Sequence, residues 1–237
     1  GRGAALETDY EALFHSAMAA IEGHDWGPEP CFEELNIAVT HPAGDEDLGY
    51  GDEVLSLTEA LHEDFYFSLL ECFQRRLGKP AGARDLRPGQ IVPEIRQGEM
   101  PSVRVALRPL EAVSVSDDLQ DLETAGRALS QVQIARELSA IPGDELTARA
   151  VSGRSVTARH HKGRGRSLII SAGQHANETS APIGCLRAAQ VLAKRGAEFV
   201  ISPLENPDGY ALHQRLIADN PRHMHHAARY TALGDDL

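Results

Sequence analysis

The chain has 237 residues, of which 42% are hydrophobic, and its formal net charge at pH 7 is −12. This hydrophobic fraction is typical of a folded globular protein and too high for an intrinsically disordered one. The negative charge argues against a nucleic-acid partner, because binding to a phosphate backbone depends on clustered Lys and Arg side chains. No apolar run approaches the roughly 18–20 residues that a bilayer requires, so we also expect no membrane partner.

The N-terminal residues contain no charged segment followed by an apolar core, so we recognise no signal peptide and expect a cytoplasmic protein. Because the sequence begins Gly1-Arg2-Gly3 and not with Met, the question of a signal peptide ahead of these residues stays open. Cys31, Cys72 and Cys185 are odd in number and widely spaced. This spacing predicts isolated buried thiols rather than disulfides or a thiolate zinc site.

The acidic charge is concentrated in the N-terminal half of the chain. Residues 1–114 carry the whole excess of Asp and Glu, whereas residues 115–237 contain as many Lys and Arg as Asp and Glu. A change of pattern near residue 115 accompanies this change of charge. We therefore predict an acidic N-terminal domain, 1–114, of unknown role, and a second domain, 115–237.

The N-terminal domain is predicted to be a small α+β domain. Helices are expected at 8–22 and 53–77, where apolar residues recur at helical spacing, and strands at 34–40 and 102–108, where apolar and polar residues alternate. We find no catalytic constellation in it. The dense titratable cluster around His62 is interpreted as the solvated face of the long helix.

The C-terminal domain begins with a predicted helix at 117–140 and a strand at 155–160. Residues 167–172 form a compact apolar run, which predicts a buried parallel strand. A helix at 180–195 follows, and then a strand at 198–203. A strand, a helix and a strand in this order form a βαβ unit, so the two strands should be parallel. The fold class is therefore α/β.

Two polar segments, 173–178 and 205–210, each follow one of these strands. Ligands of open α/β sheets bind beyond the carboxyl ends of the strands. His175 and Glu178 have the chemistry of zinc ligands, because imidazole nitrogen and carboxylate oxygen both bind zinc. We expect Glu178 in the first turn of the helix, with Asn177 as its N-cap.

Three segments together carry a resemblance to a known family. The pattern of Gly173, His175 and Glu178, followed by Asn-Pro-Asp-Gly-Tyr at 206–210, resembles the zinc carboxypeptidase family of the carboxypeptidase A type. Residues 152–156 resemble the short motif that precedes the first strands of that family. The resemblance covers about residues 115–237 and includes none of the acidic domain.

The resemblance implies the N-terminal part of a zinc carboxypeptidase domain, a partial doubly wound mixed sheet that binds Zn²⁺ and hydrolyses the C-terminal peptide bond of a substrate. In the family the third zinc ligand and the general base lie further along the chain than the residues matched here. The resemblance therefore implies an incomplete domain that is inactive by itself.

The family also has an Arg that polarises the scissile carbonyl, shortly after the Asn-Pro-Asp-Gly segment. Arg229 is the preferred candidate for this catalytic role, and Arg222 is the alternative. Asn206 is a candidate for substrate binding. Three neighbouring histidines are interpreted as surface or pocket-lining residues, with substrate contact and metal ligation left open: His223, His225 and His226.

Two alternative functions stay open at this stage. Zinc deacylases of N-acyl amino acids share the start of the metal motif, so the substrate is a peptide or another small amide. The Asn-Pro-Asp-Gly-Tyr segment favours the peptidase. A non-catalytic binding module is the third reading, and the sequence predicts no oligomeric state.

Overall fold

The computed structural model describes residues 3, 7–27, 32–51, 53–80, 89–110 and 119–237. In this part of the chain it shows a mixed α/β protein with six helices and three sheets. None of the described helices combines the length and the apolarity needed to cross a membrane. Cys72 and Cys185 are buried free thiols, as predicted, whereas Cys31 lies outside the described residues.

The chain divides into two compact units. The first unit consists of Gly1–Leu110, Leu216–Ala227 and Leu233–Asp235, and the second of Glu111–Arg215, Ala228–Ala232 and Asp236–Leu237. The boundary expected between residues 114 and 115 falls among residues that the structure does not describe, so it stays a prediction.

The first unit has a three-stranded sheet. Its elements are α1 (Asp9–Glu22), β1 (Glu34–His41), β2 (Glu46–Asp47), β3 (Val54–Leu55), α2 (Leu57–Arg76), β4 (Gln90–Gln97) and β5 (Ser102–Arg108). β1 lies in the middle of the sheet and pairs parallel with β4 and antiparallel with β5, while β2 and β3 pair with each other. The helices and strands predicted for this region are confirmed, although α2 begins only after Ser56, whose hydroxyl caps it by accepting from Glu59 N.

One residue of α2 corrects the sequence analysis. His62 is buried rather than solvated. Its Nδ1 lies 3.1 Å from the carbonyl oxygen of Pro93, and its Nε2 accepts from the backbone N–H of Ala227. Burial lowers the pKa of His62 to about 3. The interpretation of this cluster as a solvated face is therefore wrong for His62, because its ring packs into the unit with both nitrogens bonded.

The second unit contains a four-stranded mixed sheet. Its elements are α3 (Gln131–Ser139), β6 (Asp144–Arg149), β7 (Ser155–His161), β8 (Arg164–Ser171), α4 (Ser180–Lys194) and β9 (Ala197–Ser202); α5 (Pro207–Asp219) and α6 (His226–Arg229) follow. The strand order is β6-β7-β9-β8, with β8 and β9 parallel and the other pairs antiparallel. The predicted pair of neighbouring parallel strands is thus confirmed, and α4, which connects them, packs on both.

The core of this unit lies between the sheet and the two helices α3 and α4. Phe199 and Ile201 of β9 are fully buried, and Leu186 and Ala189 of α4 belong to the same cluster. Because α3 packs on β7 and on α4, both helices cover the same face of the sheet.

The helix predicted at 117–140 is much shorter than expected. Within the described residues it begins at Gln131, after Ser130, whose hydroxyl accepts from Gln133 N at 3.1 Å. Leu122 and Leu129 are buried, but they reach the core from an irregular segment. Their spacing fits a helix, but the helix begins only at Gln131, where Ser130 caps it.

The prediction that 167–172 is a buried strand is wrong for most of its side chains. β8 is the last strand of its sheet, and Ile169 is 86% exposed. An apolar run is typical of a strand covered on both faces. In β8 the apolar run instead leaves large hydrophobic side chains in contact with solvent.

Candidate metal centre

The loops that follow β8 and β9 are bonded to each other. Glu205 N donates to the Ala172 carbonyl at 3.1 Å, and Asn206 N donates to the Gly173 carbonyl at 2.9 Å. Gly173 has φ of +72°, and a Cβ there would lie only 3.1 Å from Leu204 Cα. A glycine is therefore required at the point where the two strand ends come together.

A tight turn brings His175 and Glu178 together. Glu178 N donates to the His175 carbonyl at 3.0 Å, and His175 Nδ1 lies 3.1 Å from Glu178 Oε1. Two expectations are corrected here, because α4 begins at Ser180 with Thr179 at the N-cap position. Glu178 thus precedes the helix, and Asn177 does not cap it. The expected convergence of the two side chains is nevertheless observed.

The two side chains fit a zinc ion as part of its donor set. Zinc binds imidazole nitrogen and carboxylate oxygen at about 2.0–2.2 Å with tetrahedral angles, so two such donors lie about 3.4 Å apart. The observed separation of Nδ1 and Oε1 is 3.1 Å. The side chains of His175 and Glu178 are 27% and 57% exposed, so an ion from solvent can reach them. Their role as metal ligands stays a prediction.

Arg229 and Asp236 contact the other side of the His175 ring. Arg229 Nη2 lies 3.1 Å from His175 Nε2, and Asp236 Oδ1 lies 3.3 Å from the same nitrogen. Arg229 Nη1 is also 3.5 Å from Glu178 Oε1. The sequence analysis selected Arg229 but missed Asp236. No local motif marks Asp236, because its partner lies far away along the chain.

The neighbours of His175 suit two different tautomers of its ring. If Nδ1 carries the proton, it donates to Glu178, and Nε2 accepts from Arg229. If Nε2 carries the proton, it donates to Asp236, and the lone pair of Nδ1 points to the Glu178 side. The second tautomer is the one a metal ligand needs, since metal-binding histidines commonly donate their other N–H to a carboxylate.

Asn206 is a buried residue that builds the local structure. Its Oδ1 accepts from Gly209 N at 2.9 Å, so Asn206 caps α5, with Pro207 in the first helical position. Its Nδ2 donates to the carbonyl of Tyr230 at 3.0 Å and lies within 3.4 Å of the carbonyl of Arg229. These contacts position the backbone that carries Arg229. The predicted substrate contact of Asn206 stays a prediction.

The Asp-Gly pair that follows Pro207 lies in the first turn of α5. Asp208 is buried and accepts from Arg154 Nη1 at 2.9 Å and from the backbone and hydroxyl of Ser152. A Cβ on Gly209 would lie 2.6 Å from the Ala228 carbonyl oxygen. The three segments that carry the family resemblance are thus bonded to one another.

The other basic candidates belong to the first unit. Arg222 pairs with Asp47 at 3.1 Å, and His223 pairs with Asp45 at 2.8 Å. His225 is buried and donates to the Asn220 carbonyl at 2.9 Å, and burial lowers its pKa. His223 lines a cavity, which agrees with the pocket-lining interpretation, whereas for His225 and His226 that interpretation stays a prediction.

The described part of the chain contains no group of three or more His, Cys, Asp and Glu side chains arranged to hold a metal. The sequence matches no protein-family model and has no significant match among curated proteins.

Proposed function

We propose that this chain carries two ligands of the zinc centre of a metallocarboxypeptidase, which hydrolyses the C-terminal peptide bond of its substrate. The observation that supports this most directly is the 3.1 Å separation of His175 Nδ1 and Glu178 Oε1 at the end of a parallel strand. The partial doubly wound sheet of the carboxypeptidase family is part of the same proposal.

The side chains around the ion have distinct roles. Zinc in this position would act as a Lewis acid toward the scissile carbonyl. His175 binds it through Nδ1, and Glu178 binds it through its carboxylate. Asp236 accepts the Nε2 proton of His175, which fixes the tautomer and the ring orientation. Asp236 is thus a positioning residue.

Arg229 is the candidate for binding the scissile carbonyl oxygen. Its guanidinium lies beside both ligands and can donate to an oxygen held there. To do so it must exchange its contacts with His175 and Glu178 for contacts with substrate. Asn206 supports this role by fixing the carbonyl groups of residues 229 and 230.

The proposed activity is tested on the protein isolated from its native source. The substrate is an N-blocked dipeptide with a free C-terminal carboxylate, and the matched control is its C-terminal amide. We expect release of the C-terminal residue from the free acid only. Removal of metal with a chelator should stop the release, and added zinc should restore it.

Two results would contradict the proposal. Hydrolysis of an N-acetyl amino acid without hydrolysis of the dipeptide would assign the site to a deacylase. If neither substrate is hydrolysed in a zinc-dependent way, the protein is a binding module without this catalytic activity.

A further inference from the structure

A cavity of about 360 Å³ lies in the first unit, and His175, Glu178 and Arg229 are not among the residues that line it. Its walls come from the end of α5 and the residues after it, the end of β4, the loop after β1 and the start of α2. The wall is polar and contains both signs of charge: Arg96, Arg222, His223, Asp45, Asp219 and Thr58.

Carboxylates hold two guanidinium groups of the wall, and Arg96 has two such partners because its Nη2 also lies 3.9 Å from Glu94 Oε2. Arg96 Nε bonds to Asp219 Oδ2 at 2.7 Å, and Arg222 Nη2 bonds to Asp47 Oδ1 at 3.1 Å. Both arginine side chains are more than half exposed. A guanidinium group has five N–H donors, so each arginine keeps donors for a ligand while its ion pair fixes its position.

His223 holds Asp45 in position in the same wall. Its side chain is 7% exposed, and its Nε2 lies 2.8 Å from Asp45 Oδ2 and 3.2 Å from Ser56 Oγ. Its Nδ1 is buried without a hydrogen-bond partner among the described residues. Nε2–H donates to Asp45, so His223 fixes the position of this carboxylate, which is 28% exposed and accessible to a ligand.

We propose that this cavity binds a small zwitterion, a free amino acid or a dipeptide. Arg96 and Arg222 bind its carboxylate, and its ammonium group pairs with Asp45, whose position His223 fixes. A simple anion fits less well, because Asp45 and Asp219 line the same cavity and residues 1–114 carry the acidic excess. A simple cation fits less well because of the two arginines. The volume suits a ligand of dipeptide size.

The site is independent of the proposed zinc centre, because none of its residues serves there. We test it by titrating the full chain with L-alanyl-L-alanine in a calorimeter, in the presence of a chelator so that no ligand is held by metal at the zinc centre. The two matched control ligands are N-acetyl-alanyl-alanine, which lacks the ammonium, and alanyl-alanine amide, which lacks the carboxylate. We expect each control ligand to bind at least about tenfold more weakly, since each loses a charge-assisted contact.

Arg96→Gln and Arg222→Gln should each weaken dipeptide binding about tenfold. Arg104→Gln, which changes an exposed arginine of β5, should leave it unchanged. Arg222 pairs only at the surface, so Arg222→Gln is expected to fold normally, as thermal unfolding will show. His175→Ala should also bind the dipeptide normally, which separates this site from the zinc centre. Absence of dipeptide binding, equal binding of the blocked ligands, or full affinity in both Arg96→Gln and Arg222→Gln would overturn the proposal.

Discussion

His175 Nδ1 lies 3.1 Å from Glu178 Oε1, across a turn that is closed by the bond from Glu178 N to the His175 carbonyl. The turn follows Gly173, whose carbonyl is bonded to the neighbouring loop. The two side chains are therefore held together by the backbone, before any ligand binds. A substitution in this backbone should change the stability of the second unit, whereas a substitution of a neighbour of His175 should change the zinc affinity.

Gly173→Ala should destabilise the second unit. The new Cβ would lie 3.1 Å from Leu204 Cα, at a φ of +72°. A non-glycine residue in this conformation costs about 1–2 kcal/mol, to which the close approach adds. Urea unfolding measures the loss. Gly184→Ala is the matched control, because Gly184 lies in α4 with open space around it. It should stabilise the chain by up to about 1 kcal/mol. Equal effects of the two substitutions would contradict the account.

Asp236→Asn should weaken zinc binding without removing it. The carboxylate lies 3.3 Å from His175 Nε2 and favours the tautomer whose Nδ1 is free to bind metal. Loss of such a carboxylate typically lowers metal affinity about 10–100-fold. Calorimetric titration with zinc provides the comparison, and Glu145→Gln, on exposed β6, serves as the control. Unchanged affinity in Asp236→Asn would show that Asp236 has no positioning role.

His62 should make the stability of the first unit depend on pH. Burial lowers its pKa to about 3, whereas an unfolded histidine has a pKa of about 6.5. Between these values the unfolded chain binds more protons, so stability falls as pH drops below about 6.5. The expected loss between pH 7 and pH 5.5 is about 1 kcal/mol from His62 alone.

Urea unfolding at the two pH values tests this prediction. His62→Asn should reduce the loss on acidification, although it lowers stability at pH 7 by removing packed atoms. His15→Asn, which changes an exposed histidine of α1, should keep the pH dependence of the wild type. An unchanged pH dependence in His62→Asn would mean that the buried ring does not resist protonation.

Local patterns predicted the β8–α4–β9 unit well, because an apolar run and a helical repeat each reflect a single element. The same reasoning failed for 117–140, since Leu122 and Leu129 keep helical spacing while their backbone is irregular. At the site, His175 and Glu178 are three residues apart and share a turn, so the sequence indicates their proximity. The side chains of Asp236 and Arg229 reach His175 only through the tertiary fold, and no spacing in the sequence encodes those contacts.

Exposed β8 should promote self-association. It is the last strand of its sheet, and Ile169 on it is 86% exposed. An apolar edge strand offers unpaired backbone groups to a second chain, and a charged side chain blocks this pairing. Ile169→Lys should therefore reduce concentration-dependent association in sedimentation velocity. Met100→Lys, at an exposed loop position, is the control and should have no effect. Equal association of the wild type and Ile169→Lys would show that β8 is not the contact.

Calorimetric zinc titration of the full chain measures directly whether His175 and Glu178 bind one zinc ion. We expect one zinc per chain in the wild type, with affinity at least about tenfold lower in His175→Ala and in Glu178→Gln. His226→Ala removes an imidazole of the first unit and should leave the affinity unchanged. Wild-type zinc affinity in His175→Ala, or its loss in His226→Ala instead, would contradict the account.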